Sequence, residues 1–191
     1  MTVALILGGA ACVWDDARAA LKWAKPDIVI AMNDMIPRWP GHIDHAVSLH
    51  PKNYPGWLDA RRAAGRPDPG LVWSYRQAPR VQKITNDWRG SSGLFAVKVA
   101  LVCMSMHGAI LAGVPLDRSN HFVRDKPWTD AYAFFPGWAD RKREIAPRVR
   151  SMSGWTRQQF GEPDAAWLAK MNALPPDVAL LDLVEQSLIS A

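Results

Sequence analysis

Cysteine is scarce in this chain, and long apolar runs are missing. Only Cys12 and Cys103 occur, without metal-site spacing, which argues against a disulfide framework and a thiolate zinc site. No apolar run approaches the roughly 18–20 residues that a bilayer-spanning helix needs. The segment Met1 to Leu7 has no basic region followed by a small-residue cleavage site. We therefore expect a cytoplasmic protein without a membrane partner.

Several catalytic and cofactor motifs are missing as well. Gly8 and Gly9 do not form the GxGxxG pattern of dinucleotide-binding loops, and there is neither a Walker lysine nor a GxSxG nucleophile elbow. His42 and His45 have the spacing of a metal pair on a helix. They lie in a Pro-Gly loop, however, and no third ligand follows at recognisable spacing. We predict no metal site.

Apolar residues and tryptophans are plentiful by comparison. Apolar residues make up 49% of the 191 residues and charged residues 21%, which excludes a disordered chain and suits one compact domain. Ten tryptophans are dispersed along the sequence, and this favours aromatic packing in the core and at its rim over a sugar-stacking platform. The net charge of +5 is spread along the chain. It fits anionic partners such as nucleotides, or an ordinary basic surface.

Short apolar runs alternate with helical patterns along the chain. The predicted strands are Thr2 to Leu7, Asp27 to Met32, Ala46 to Leu49, Leu71 to Tyr75, Val81 to Ile84, Ala109 to Ala112 and Val149 to Met152. The predicted helices are Asp15 to Ala24, Gly56 to Ala64, Leu94 to Met106, one or two over Thr129 to Ile145 with a break at 136–137, Ala165 to Ala173 and Asp177 to Ile189. This alternation predicts a three-layer, Rossmann-like α/β domain with a mainly parallel sheet over residues 1–160. Residues 161–191 are predicted to form a helical tail, packed on the domain or at a homodimer contact.

Small and hydrogen-bonding residues follow the predicted strands. They are Gly8 and Gly9, Asn33 and Asp34, Ser48 and His50, Ser91 to Gly93 at a helix start, Pro115 and Asp117, and Ser151 and Ser153. Because ligands bind outside the carboxyl ends of parallel strands, we expect these residues to meet in one crevice. Glycine amides and a serine-capped helix start can hold phosphate oxygens there. Turn composition and plain helix capping explain the same residues equally simply.

Four side chains near these strand ends are candidates for proton transfer. His50 and His121 are candidate general bases, although solvent-facing or structural histidines are the commoner case. Asp34 and Asp117 are the carboxylates best placed for a base or metal role. We take His50, Asp117 and His121 as the catalytic candidates.

Three blocks of the sequence carry a resemblance to a known superfamily. SSGLFAVKVAL at 91–101 with HGAILAGVPLD at 107–117, ILGGAA at 6–11 and IAMND at 30–34 resemble segments of bacterial CMP-sialic-acid-dependent sialyltransferases. They also resemble the related motility-accessory-factor proteins and archaeal 6-hydroxymethylpterin pyrophosphokinases. The order and spacing of the blocks match from about residue 3 to residue 117. The compact, tryptophan-rich character also resembles proteins of phage and prophage regions.

The resemblance implies a Rossmann-like fold and a nucleotide donor. Carried over by position, it makes Gly8, Gly9, Asn33, Ser92 and Gly93 nucleotide contacts. Residues 9, 11 and 12 depart from the family's first loop, which has an asparagine and a Pro-Ser pair. The paired tyrosines that hold the CMP phosphate have no convincing counterpart after residue 117, and the late catalytic histidine is not evident.

We therefore predict a nucleotide-dependent transferase that moves a glycosyl or phosphoryl-type group, with or without Mg²⁺. Its nucleotide-contacting residues are predicted to be Gly8, Gly9, Asn33, Asp34, Ser48, Ser91, Ser92 and Gly93. Two alternatives stay open. The protein could be a non-catalytic nucleotide-binding or sequestering module, or a basic, tryptophan-rich assembly or nucleic-acid-associated protein. The last would use Arg61, Arg62, Arg66, Arg141, Lys142, Arg143, Arg148 and Arg150.

Overall fold

The computed structural model describes residues 2–123, 131–173, 175 and 178–189, within which seven strands form one parallel sheet. The strands are β1 (Val3–Leu7), β2 (Ile28–Met32), β3 (His45–Val47), β4 (Leu71–Ser74), β5 (Lys83–Ile84), β6 (Gly108–Ala112) and β7 (Val149–Ser151). They lie in the order β5-β4-β3-β2-β1-β6-β7, and each neighbouring pair is parallel. All seven predicted strands are therefore present, with small differences at their ends.

The central strand β1 shows why the strands read as continuous apolar runs. All five of its residues are buried. Val3, Leu5 and Leu7 pack into one hydrophobic core, whereas Ala4 and Ile6 pack into a second core. A parallel strand covered on both faces has no solvent side on which to place polar residues.

Helices cover both faces of the sheet. The first core holds α1 (Val13–Trp23), α2 (Met35–Arg38), α3 (Tyr54–Ala63), α7 (Ala165–Met171) and α8 (Val178–Ile189). The second core holds α4 (Ser92–Lys98), α5 (Phe135–Ile145) and α6 (Gly154–Phe160). The result is a three-layer, Rossmann-like α/β sandwich, as the sequence predicts.

Several helix boundaries differ from the prediction. Helix α4 begins at its serine-rich start and continues as a π-helical turn over Val99–Cys103, so it ends before Met106. Pro136 and Gly137 lie in the first turn of α5 and begin that helix instead of breaking it, because proline is tolerated where the N–H has no partner. The short helices α2 and α6 were not predicted.

The C-terminal helices pack on the first core. Trp167 and Met171 of α7 are buried, and the Trp167 indole donates to the carbonyl of Pro147 at 3.1 Å. Val184 of α8 is fully buried, and α8 packs against α1. The division at residues 160 and 161 and the homodimer contact stay predictions. The predicted helix starts at Thr129 and Asp177 lie outside the described residues.

The tryptophans lie mostly in the cores. Trp14, Trp39, Trp73, Trp138 and Trp167 are buried, whereas Trp23 is 43% exposed. Trp128 lies outside the described residues. No helix in the described ranges is long and apolar enough to cross a bilayer.

Candidate functional site

A ligand-sized cavity lies at the carboxyl ends of the central strands. Its volume is about 550 Å³. Strand β1 lies between β2 and β6 in the sheet, and the cavity lies where the chain leaves β1. It is lined by Gly8, Gly9, Met32, Asn33, Asp34, His50, Asn53, Trp57, Ser91, Ser92, Gly93, Gly113, Val114, His121 and Phe134. This is the place at which open α/β sheets bind their ligands.

The structure brings together most of the predicted site residues. Gly8, Gly9, Asn33, Asp34, His50, Ser91, Ser92, Gly93 and His121 all line the cavity. Ser48 and Asp117 lie outside the lining. Ser48 is fully buried, and Asp117 Oδ1 accepts the N–H of Ser119 at 2.9 Å in the loop that follows β6.

Neighbouring segments approach both glycines after β1 closely. The N–H of Gly8 donates to the carbonyl of Ala112 at 2.8 Å, so this amide is not free to hold a phosphate. A Cβ at this position would lie 2.1 Å from the carbonyl oxygen of Gly113. Only glycine fits at position 8, because the turn after β6 lies against its backbone. A Cβ at Gly9 would lie 2.5 Å from Nε2 of His121, so Gly9 makes room for that ring.

The loops after β2 and β3 hold the amide of Asn33 in one orientation. Asn33 adopts a left-handed φ of 50°, which asparagine tolerates better than most residues. Its Oδ1 accepts the hydroxyl of Ser48 at 2.6 Å, and Ser48 Oγ accepts the N–H of His50 at 2.8 Å. Ser48 thus positions both Asn33 and the His50 backbone without lining the cavity itself.

The start of α4 supplies hydrogen-bond donors to the cavity. Ser91 is the N-cap, and its Oγ accepts the N–H of Leu94 at 3.4 Å and the indole N–H of Trp138 at 3.2 Å. Ser92 Oγ accepts the N–H of Leu49 at 3.3 Å and keeps its own proton to donate. The N–H groups of Ser92 and Gly93 have no acceptor within the helix because they lie in its first turn. Together these groups present a positive helix end and a hydroxyl.

Asp34 lies at the opposite rim, between an indole and an imidazole. Its Oδ1 accepts the indole N–H of Trp57 at 3.0 Å, and its Oδ2 lies 3.6 Å from Nε2 of His121. His121 Nδ1 accepts the N–H of Val123 at 3.0 Å, which places the proton of the neutral ring on Nε2. The ring therefore faces Asp34 as a donor, and this arrangement does not favour His121 as the base toward a ligand. His50 is exposed at the cavity edge.

The two histidines of the HxxH pattern have separate partners. His42 is exposed and lies 3.4 Å from Asp44 Oδ1. His45 is buried, accepts the indole N–H of Trp73 at 3.3 Å, and has its pKa lowered by burial. Among the described residues, no group of three or more His, Cys, Asp or Glu side chains could hold a metal ion.

Most of the arginines considered for nucleic acid binding make contacts within the fold. Arg61 was wrongly placed among them, since it is fully buried and donates to four backbone carbonyls, those of Ile36, Trp39, Gly41 and Pro67. Burial lowers its pKa to about 10. Arg62 pairs with Asp59 and Asp68, Arg141 pairs with Glu144, and Arg148 and Arg150 donate to carbonyl oxygens.

Sequence reasoning missed some of the cavity-lining residues. Gly113 and Val114 follow β6 directly and fit the strand-end rule, whereas the sequence prediction names Pro115 and Asp117 at this strand end. Trp57 on α3 and Phe134 before α5 come from helices, and the strand-end rule gives no signal for them.

An open parallel sheet with a ligand-sized cavity at its central strands defines a Rossmann-like α/β protein. Among solved structures, the sialyltransferase CST-II in complex with a trisaccharide acceptor and CMP is similar to this chain, with a TM-score of 0.58 over 89% of this chain and 98% of that one. The two sequences are 11% identical, so the likeness concerns the fold. No family model and no curated protein sequence matches this chain.

Proposed function

We propose that the protein is a nucleotide-dependent transferase that binds a nucleoside monophosphate linked to a sugar in the cavity. The observation that carries this proposal is the pairing of the Ser92 hydroxyl and the α4 start with the fixed amide of Asn33 in one cavity at the central strands. The proposal is supported by the similarity to a fold that binds CMP in the sialyltransferase CST-II.

The chemistry of the lining favours a donor of low charge. The described lining supplies seryl hydroxyls, asparagine amides, helix N–H groups and two histidines, beside the single carboxylate of Asp34. Such neutral donors suit one phosphate diester better than a triphosphate, which proteins usually neutralise with cations. We therefore favour glycosyl transfer over phosphoryl transfer.

The leaving phosphate would sit at Ser92. The N–H of Leu49 donates to Ser92 Oγ. His50 is the next residue in the chain, so it lies near the proposed phosphate site. An N–H of the His50 imidazole would stabilise the negative charge that develops on the phosphate when the bond to the sugar breaks. Preorganised donors of this kind contribute mainly by stabilising charge in the transition state.

Calorimetric titration with nucleoside monophosphates, nucleoside triphosphates and a CMP-linked sugar, with and without Mg²⁺, tests the donor class. We expect a monophosphate to bind, and Ser92→Ala to weaken it by about 10–100-fold, the loss of one hydrogen bond to a charged group. Ser92→Thr should restore most of the affinity.

Asn33→Ala has a matched control in Asn172→Ala. Both asparagines have a left-handed φ, of 50° and 47°, so both variants carry similar backbone strain, and only Asn33 lines the cavity. We expect loss of affinity in the first variant only. If no nucleotide binds while DNA or RNA does, the transferase proposal is wrong. Tight binding without CMP release would instead favour the sequestering module.

A further inference from the structure

A second cavity of about 390 Å³ lies beside the first, between α2 and α3. It is lined by Asp34, Pro37, Arg38, Ala60, Ala64, Arg66 and Val123. Among the described residues, Asp34 alone lines both cavities. This carboxylate therefore stands at the junction between two ligand-sized spaces.

Two guanidinium groups give the second cavity a positive character. Arg38 is exposed, and its guanidinium makes no ion pair with any described residue. Arg66 uses one nitrogen to donate to the carbonyl of Pro37, which leaves its other N–H groups for a ligand. The neighbouring Arg62 differs from both, since two aspartates neutralise it. Two guanidinium groups in one cavity fit a carboxylate or phosphate group.

We propose that this second cavity binds the acceptor through an anionic group, and that Asp34 is the general base that activates the acceptor hydroxyl. The inference rests on the proposed transferase function, because it names the acceptor class of the same site. The acceptor is thus a hydroxylated molecule that carries a carboxylate or a phosphate.

The position of Asp34 suits a base that works between two ligands. Trp57 fixes one carboxylate oxygen by its indole N–H, and His121 lies beside the other. The Asp34 side chain is 19% exposed and lines both cavities, so a ligand in either one can reach the carboxylate. An acceptor in the second cavity and a donor in the first would meet at this group.

The transfer step conserves atoms and electrons. The acceptor oxygen forms a bond to the anomeric carbon of the donor sugar while the bond from that carbon to the phosphate oxygen breaks. The electron pair of the broken bond leaves on the phosphate at Ser92. The hydroxyl proton passes to Asp34.

Binding of galactose 6-phosphate, galacturonate and neutral galactose, measured by ligand-observed NMR with and without CMP, tests the anionic acceptor. We expect at least one anionic sugar to bind at least tenfold more tightly than galactose, and the comparison of the two separates phosphate from carboxylate recognition. The double variant R38Q/R66Q should abolish this preference and leave the CMP affinity within twofold. Arg143→Gln, which removes one positive charge from the exposed surface of α5, should leave both unchanged.

The role of Asp34 is tested by CMP release from a CMP-linked sugar with the better-bound anionic sugar as acceptor. Asp34→Asn should lower the rate by at least about 100-fold, a typical contribution of a general base, and change the CMP affinity less than threefold. Equal binding of neutral and anionic sugars, or a preference that survives R38Q/R66Q, overturns the acceptor site. Failure of CMP to bind at all overturns the transferase function itself, and the sugar arm measured without CMP tells the two failures apart.

Discussion

Two aspartates near the strand ends, Asp16 and Asp34, show how differently this fold uses a carboxylate. Asp16 on α1 is buried, and its Oδ2 accepts the N–H of Gly113 at 2.8 Å, the hydroxyl of Ser153 at 2.5 Å and the thiol of Cys12 at 3.4 Å. It thereby ties the turn after β6 and the loop after β7 to α1. Asp34 is held from the side by Trp57 and borders two cavities.

Asp16 accepts more of these hydrogen bonds than Asp34 does, yet the candidate site lies at Asp34. Burial raises the pKa of Asp16, against the lowering effect of its hydrogen bonds to Ser153, Gly113 and Cys12. A perturbed pKa often marks a functional site, but structural networks perturb pKa values as well. What separates the two carboxylates is the open space beside Asp34.

The largest effect is expected from Asp16→Leu. This variant removes the acceptor of the buried Gly113 N–H and of the partly buried Ser153 hydroxyl, which should lower the free energy of unfolding by about 3 kcal/mol. Urea denaturation measures the loss. Asp15→Leu, one residue earlier on the same helix, should change stability by less than about 0.5 kcal/mol because Asp15 is exposed. Equal losses in both variants would contradict the role of Asp16.

The next prediction concerns the rate at which the Cys12 thiol is alkylated. Burial, and then the charge of Asp16, raise its pKa to about 12, so at pH 8 very little thiolate is present. Alkylation of Cys12 by iodoacetamide should therefore be slow at pH 8 and rise about tenfold per pH unit up to pH 10, because the thiolate is the nucleophile. Mass spectrometry of the Cys12 peptide gives the rate, with Cys103 as the internal reference.

Two variants separate charge from stability in this experiment. Asp16→Asn should speed Cys12 alkylation several-fold, since a charge that raises the thiol pKa is removed. Ser153→Ala should slow it, since the hydrogen bond from Ser153 lowers that pKa. Both substitutions destabilise the same network, so local unfolding would speed both reactions, and that result would contradict the electrostatic explanation.

A smaller loss of stability than that of Asp16→Leu is expected at the cavity carboxylate. Asp34→Asn retains Oδ1 as an acceptor for Trp57 but turns an NH2 group toward Nε2 of His121, so the free energy of unfolding should fall by about 1 kcal/mol. The same urea titration measures it. A loss of unfolding free energy close to that of Asp16→Leu would mean that Asp34 also stabilises the fold.

The sheet could be predicted from sequence because its strands are buried on both faces. Runs such as residues 3–7 and 28–32 have no polar position and end at small or polar residues. The strand-end rule also predicted that Asn33, His50 and Ser92 share one crevice, and all three line the cavity.

Contacts between distant segments could not be predicted in this way. The turn after β6 lies so close to Gly8 that no side chain fits there. A glycine pair in a sequence gives no sign of whether it faces a phosphate or a neighbouring backbone. Trp57 and Asp34 meet only through the packing of α3 beside α2. The short helix α6 has no long apolar pattern to mark it.

The contact between Gly9 and His121 has a consequence for recognising relatives of this chain. The imidazole occupies the space where a side chain on residue 9 would begin, and the loop at 120–122 is hydrogen-bonded along the loop at 9–11. The two positions should therefore have changed together during descent. A relative with a side chain at position 9 is expected to have lost the ring at position 121, so this pair of positions can trace the lineage where overall identity is too low to do so.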